Sequence, residues 1–181
     1  NSVGYGTIGT PGAAKDVITV GATEDSKDLA VYSSKGPTHE GQIKPNVAAI
    51  GSAVMSVEAN SVNGYASYSG TSMATPMVAG MAALLLQANP DLQPLMIRAI
   101  LESTSEFEWL SHPVRPNNDY GWGFVLMDAA LDEAINYDAS LSINISADTS
   151  VIFYEKNASD DTRNDSASRY YVHENGKLYF D

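Results

Sequence analysis

The sequence predicts an α/β domain with a parallel sheet, followed by a small β-rich extension. Short β-branched runs alternate with apolar helical patterns over residues 1–136. One of these helical patterns is apolar around almost its whole circumference, which is typical of a buried central helix. From residue 137 the composition shifts toward Ser, Asn, Asp and Tyr, and strand-like alternation appears. We therefore predict two domains, 1–136 and 137–181, the second being the acidic start of an accessory domain.

The first domain contains three short strand candidates and three helix candidates. Residues 16–22 form an apolar run closed by glycine, which predicts a buried strand. Shorter strands are predicted at 46–50 and 53–57. Pro76 and Pro94 fall near the start of their helices, where a missing N–H costs little. The predicted helices are 72–88, 94–104 and 127–135.

In the second domain, Asn175-Gly176 separates two apolar and aromatic runs, 169–173 and 177–180. This dipeptide is a strong signal for a tight hairpin turn. Further strands are predicted at 141–146 and 151–154. The polar run 157–168 is predicted to be a loop.

Charge and composition exclude several classes of protein. The chain has 181 residues, a formal net charge of −12 and no cysteine. A negative field of this size repels phosphate backbones, so we expect no nucleic-acid partner. The most apolar stretch, 77–86, is too short to cross a bilayer, so we expect no membrane span. The first residues contain neither an initiator Met nor a signal-like pattern, and we expect the chain to start within a longer protein.

The most informative segment is 69–76, SGTSMATP, which leads directly into the first helix. A serine at a helix start is most often an N-cap, which contributes about 1 kcal/mol. Gly70, however, permits a close backbone approach beside Ser72, and the positive end of the helix would stabilise a developing oxyanion there. The residues alone leave two interpretations of Ser72 open, a cap and a nucleophile.

This segment, followed by Val-Ala-Gly at 78–80, resembles the nucleophile segment of the subtilisin-like serine proteases, or subtilases. The resemblance covers about residues 1–136 and implies the C-terminal half of a subtilisin-like layered catalytic domain. Met77 and the AIG at 49–51 depart from the family's usual His and Ala-Pro-Gly, neither of which belongs to the triad. Other segments follow the family in order: PGA at 11–13, VITVGA at 17–22, YSSKGP at 32–37, KPNV at 44–47 and GWG at 121–123.

The resemblance implies roles for several residues. Ser72 corresponds to the nucleophile and Asn1 to the oxyanion-hole asparagine. Gly9 lies where the family places the base of the pocket for the substrate side chain. The residues that flank the nucleophile and contact substrate are Gly70, Thr71 and Met73. The Thr10–Pro11 peptide matches one that is often cis in the family, and the chemistry requires no cofactor, structural calcium being implied by the resemblance alone.

A triad also needs an Asp and a His ahead of the serine. The family's Asp-Ser/Thr-Gly and His-Gly-Thr motifs are absent, and neither His39, His112 nor His173 is followed by Gly. We therefore expect an upstream or companion N-terminal segment to supply both groups, giving an endopeptidase that cleaves polypeptides through an acyl-enzyme. The alternative is a non-catalytic, protease-derived surface or scaffold protein.

Three Asn-X-Ser sequons begin at Asn144, Asn157 and Asn164. Together with the resemblance, they favour an extracellular or cell-surface glycoprotein. The aspartates of this region do not match the spacing of a calcium-binding loop, and we interpret them as a solvated acidic face.

Overall fold

The computed structural model describes residues 4–106, 114–137, 170–172 and 178–180. The chain forms two units, 1–137 and 138–181. The first unit contains β1 (Val20–Thr23), β2 (Val47–Ile50), β3 (Val54–Val57), β4 (Tyr65–Tyr68), α1 (Thr71–Ala88), α2 (Pro94–Ser103) and α3 (Met127–Asn136). The second contains β5 (Tyr170–Val172) and β6 (Leu178–Phe180).

Strands β1 and β2 form a parallel pair, in register from Val20 opposite Val47 to Thr23 opposite Ile50. All of β1 and the first three residues of β2 are buried, because α1 packs against both strands. This confirms the predicted α/β arrangement with parallel strands. β1 starts four residues later than predicted.

Strands β3 and β4 form an exposed antiparallel hairpin that leads into α1. The strand predicted at 53–57 is confirmed as β3, whereas β4 was not predicted. Tyr65 and Tyr68 are three residues apart, so the segment lacks the two-residue alternation that would have indicated a strand.

Helix α1 is confirmed, but the prediction that it is buried all round is wrong. Its buried residues are Ala74, Val78 and Leu85, which share one face. Other apolar side chains are exposed, with relative exposures of 38% at Met77 and 49% at Leu84. The reason is that the described elements packed on α1, namely β1, β2 and α3, cover only one side of it. Within the described residues, α1 has the length and apolar character of a membrane span, but a core helix meets the same criteria.

Helices α2 and α3 complete the core, and α3 packs against both α1 and α2. α2 begins at Pro94, after Gln93 as N-cap, close to the predicted position. Ile97, Ile100 and Leu101 of α2 are buried, and Ala130 and Ala134 of α3 belong to the same core. The helix predicted at 127–135 is thereby confirmed as α3.

A buried polar cluster, which we call the Lys44 cluster, consists of Lys44, Asn46, Arg98 and Glu102. Lys44 is only 2% exposed, and its Nζ donates hydrogen bonds to the Val17 carbonyl at 2.7 Å and to Asn46 Oδ1 at 2.8 Å. Asn46 Nδ2 and Arg98 Nε both donate to Glu102 Oε1, each at 2.7 Å. The cluster therefore links the segment before β1 to the start of β2 and to α2.

Burial lowers the pKa of the Lys44 ammonium from 10.5 to about 8, the charge on Arg98 adds to this, and Glu102 and Asp16 oppose it. Above pH 8 the unfolded chain therefore holds a proton that the folded chain has released, so the free energy of unfolding rises with pH. We expect a gain on the order of 1–2 kcal/mol from pH 8 to 9.5, measured by denaturant unfolding. The Lys44→Met variant should lack this gain, and parallel pH curves for the two proteins would contradict the assignment.

In the second unit, β5 and β6 pair antiparallel from Tyr170 opposite Phe180 to Val172 opposite Leu178. The two runs predicted as strands, 169–173 and 177–180, thus pair with each other, and the predicted turn at Asn175-Gly176 lies outside the described residues. The other predicted strands at 141–146 and 151–154, the loop 157–168 and the three sequons lie outside the described residues. The division into a catalytic half and an accessory domain stays a prediction.

Candidate active site

The start of α1 is held at the carboxyl edge of the parallel strands. The Gly51 amide donates to the Thr23 carbonyl at 2.9 Å, and the Gly51 carbonyl accepts from the Gly70 amide at 2.8 Å. A Cβ on Gly51 would lie 2.7 Å from the Gly70 oxygen, so only glycine permits this approach. Functional sites in α/β sheets gather at this edge.

Ser72 is the second residue of α1, and Gly70 is the N-cap. The cap interpretation of Ser72 is therefore wrong, because the residue lies inside the first turn. Its side chain is exposed, and its hydroxyl makes no hydrogen bond with any of the residues that the structure describes. This leaves the hydroxyl accessible for chemistry.

Two neighbouring hydroxyls, those of Ser69 and Thr75, have structural partners. Ser69 Oγ accepts from the Ala53 amide at 2.8 Å, which ties the start of α1 to the β3 hairpin. Thr75 Oγ1 donates to the Thr71 carbonyl at 2.8 Å within the first helical turn. The three hydroxyl groups thus differ in role although they lie within one short segment.

The electrostatics around Ser72 favour negative charge. The first N–H groups of a helix have no intrahelical acceptor and carry the positive end of its dipole. α1 is 18 residues long and has no acidic residue in its first turn, so no side chain of that turn neutralises this end. A negatively charged oxygen beside the Ser72 amide would be stabilised there.

The structure brings together four of the six predicted site residues, Gly70, Thr71, Ser72 and Met73, at the start of α1. Gly9 lies exposed in a separate turn, where its carbonyl accepts from the Ala13 amide at 3.1 Å. Asn1 lies outside the described residues. The Thr10–Pro11 peptide bond, one residue after Gly9, is cis as predicted.

The described residues do not complete a triad. His39 is exposed in the turn closed by the Gly41 amide and the Thr38 carbonyl, and no hydrogen bond joins it to Ser72 among these residues. His112 and His173 lie outside the described ranges. In the same ranges no three His, Asp or Glu side chains form a group that could hold a metal ion.

Sequence reasoning missed two features of the structure. In the sequence, Gly51 is simply a glycine after an apolar strand. The contact that requires glycine is with Gly70, which is distant in the sequence. The burial of Lys44 has no local signal, because lysine is almost always exposed.

The sequence model of the subtilase family matches residues 1–123. Serine protease AprX of Bacillus subtilis (strain 168) is 38% identical over 138 residues, covering 66% of this chain and 30% of that protein. Bacillopeptidase F of the same organism is 40% identical over 126 residues, covering 67% of this chain and 8% of that protein. The chain thus spans less than a third of the length of either relative.

Solved structures agree with the sequence comparison. The structure of the CspB protease of Clostridium perfringens matches with a TM-score of 0.67 and 32% identity, covering 74% of this chain and 30% of that one. The first unit is therefore a partial subtilisin-like α/β domain. Because the family's sequence model matches more than half of the residues, the chain belongs to the subtilase family.

Proposed function

We propose that this chain carries the nucleophile and the oxyanion site of a secreted serine endopeptidase that cleaves polypeptides. The observation that carries the proposal is the exposed Ser72 hydroxyl, which lies in the first turn of α1 and is not used as a cap. Membership of a family of serine proteases supports the reaction class. Extracellular location follows from the resemblance and the sequons.

In the proposed reaction, Ser72 Oγ attacks the scissile carbonyl carbon while its proton passes to an imidazole. The carbonyl oxygen becomes an oxyanion, which accepts hydrogen bonds from the Ser72 amide and from the side-chain amide of Asn1. Collapse of this intermediate breaks the C–N bond, and the imidazolium gives its proton to the departing amine. Water then hydrolyses the acyl-enzyme by the same steps.

The imidazole and its orienting carboxylate come from a companion N-terminal segment. Two observations support this part of the proposal. The matched relatives are more than three times as long as the part that this chain covers. The uncovered side of α1 presents Met77, Gly80 and Leu84, which lie on one face because they are three and seven residues apart. An apolar helix side of this kind is normally covered by protein.

The cover on α1 can be tested by placing a charge at Leu84. In the assembled protein, with the companion segment present, we expect Leu84→Asp to lower the free energy of unfolding by about 2–4 kcal/mol, because the carboxylate would be buried without a partner. Thermal unfolding measures the effect.

Ile135→Asp is the matched control, because Ile135 is a comparably exposed aliphatic residue on α3, with 59% exposure. Its cost should stay near 0.5 kcal/mol. Equal, small effects at both positions would show that Leu84 faces water in the assembled protein and would overturn the proposed cover.

The catalytic proposal is tested by a fluorophosphonate probe, from which the attacking serine oxygen displaces fluoride. We expect the label on Ser72 in the assembled protein when modified peptides are mapped by mass spectrometry. Absence of label, with the companion segment present and folded, would overturn the enzyme proposal and favour the non-catalytic scaffold.

A further inference from the structure

We propose that Lys44 and Asn46 are positioning residues for substrate selectivity, because they hold the segment 9–19, whose first residue is Gly9. This inference rests on the proposed function and on the role that the family resemblance implies for Gly9, the base of the pocket for the side chain before the cut. Neither residue touches substrate in this proposal, and both act through the backbone of the segment.

The C-terminal part of the segment is fixed directly. Lys44 Nζ donates to the Val17 carbonyl at 2.7 Å. Asn46 Oδ1 accepts from the Thr19 amide at 2.8 Å, and the Asn46 amide in turn donates to the Thr19 carbonyl at 2.8 Å. Both side chains are almost fully buried, so water cannot easily replace them as hydrogen-bond partners.

The anchoring continues from Thr19 toward Gly9. Thr19 Oγ1 donates to the Gly12 carbonyl at 2.5 Å, and the Ala13 amide donates to the Gly9 carbonyl at 3.1 Å. A Cβ on Gly12 would lie 3.2 Å from both the Gly9 oxygen and Thr19 Cγ2, so the turn is closely packed. A shift at Val17 or Thr19 is therefore transmitted to Gly9.

Helix α2 holds the cluster from the other side. Glu102 accepts from both Asn46 and Arg98, and Arg98 Nη1 donates to the Lys15 carbonyl at 3.3 Å. The segment 9–19 is thus bonded to β2 through Asn46 and to α2 through Arg98. The Lys44 ammonium is buried between these segments, whereas a lysine that serves only solubility lies at the surface.

The test uses the assembled protease and the variants Lys44→Met and Lys15→Met. Lys15 is the matched control, since it lies in the same segment and its side chain is exposed. We expect Lys44→Met to change the ratio of kcat/KM between substrates with Phe and with Ala before the cut by about five- to tenfold. The value for the Ala substrate should stay within about twofold, because a short side chain does not reach Gly9. These sizes correspond to small changes in pocket contacts.

A general loss of folded protein would lower both kcat/KM values together, so the ratio separates positioning from stability. Amide hydrogen exchange over residues 9–19 gives a second readout that does not depend on activity, and it should be faster in Lys44→Met than in Lys15→Met. If Lys44→Met fails to fold, the near-isosteric Thr19→Val, which removes the bond to Gly12, replaces it with the same expected results.

An unchanged Phe-to-Ala ratio in a protease that reacts with the fluorophosphonate probe would overturn the inference. Unchanged hydrogen exchange over 9–19 would overturn it as well. If no protein reacts with the probe, the proposed function fails on its own, and the exchange measurement still decides whether Lys44 holds the segment.

Discussion

Replacing Ser72 with alanine is expected to abolish peptide hydrolysis in the assembled protein. Loss of the nucleophile lowers kcat by about 10⁶-fold in subtilisin, the system from which this figure is taken. The residual rate would come from the oxyanion site and from substrate binding, which the substitution leaves in place. Turnover of a fluorogenic peptide measures the loss, and fluorophosphonate labelling should disappear in parallel.

Ser69→Ala provides the matched control, because it removes a hydroxyl from the same segment, three residues before Ser72. Ser69 accepts a hydrogen bond from the Ala53 amide, so its loss should reduce stability by about 1 kcal/mol while turnover remains. Full activity in Ser72→Ala would show that another group is the nucleophile.

Gly121→Ala is expected to have the largest effect on stability. Gly121 has φ +64°, and a Cβ there would lie 2.2 Å from the Asn46 carbonyl oxygen and 2.3 Å from that of Pro45. Both contacts are with backbone that leads into β2, so neither can yield by a side-chain rotation. We expect a loss of at least about 4 kcal/mol, or no folded protein, measured by chemical denaturation.

Gly9→Ala is the control for this substitution. Among the residues that the structure describes, no atom beyond the two chain neighbours lies within 4 Å of the added methyl group, and φ at Gly9 is outside the left-handed region. Its stability should change by less than about 0.5 kcal/mol. Similar losses for both variants would mean that the cause is a general effect of removing glycine and not the contact with Asn46 and Pro45.

Elements of the fold were predictable where the local hydropathy pattern or a proline position matches the burial and the helix start that the structure shows. The apolar run that contains β1 and the proline at the start of α2 each indicated an element that the structure contains. Ser72 was singled out as a candidate because its segment is distinctive, and its role stays a prediction. Sequence alone could not exclude the cap interpretation of Ser72, since that depends on which residue ends the extended backbone before α1, and this residue is Gly70.

The remaining features depend on contacts between distant residues. The apolar residues all round α1 indicated a helix that is buried on every side. Within the described part of the chain, however, other elements pack against only one side of it. The Lys44 cluster joins residues 15 to 19 with Glu102 through side-chain bonds. The spacing of residues in the sequence does not reveal such a hydrogen-bond network, because each of its side chains taken alone resembles an ordinary surface charge or turn residue.

The open side of α1 also bears on how this polypeptide must be produced. Met77 and Leu84 would offer an exposed apolar surface to other copies of the chain whenever it is synthesised without its cover. Co-expression or co-refolding with the proposed companion segment should therefore yield monodisperse material, whereas the lone chain should aggregate as its concentration rises.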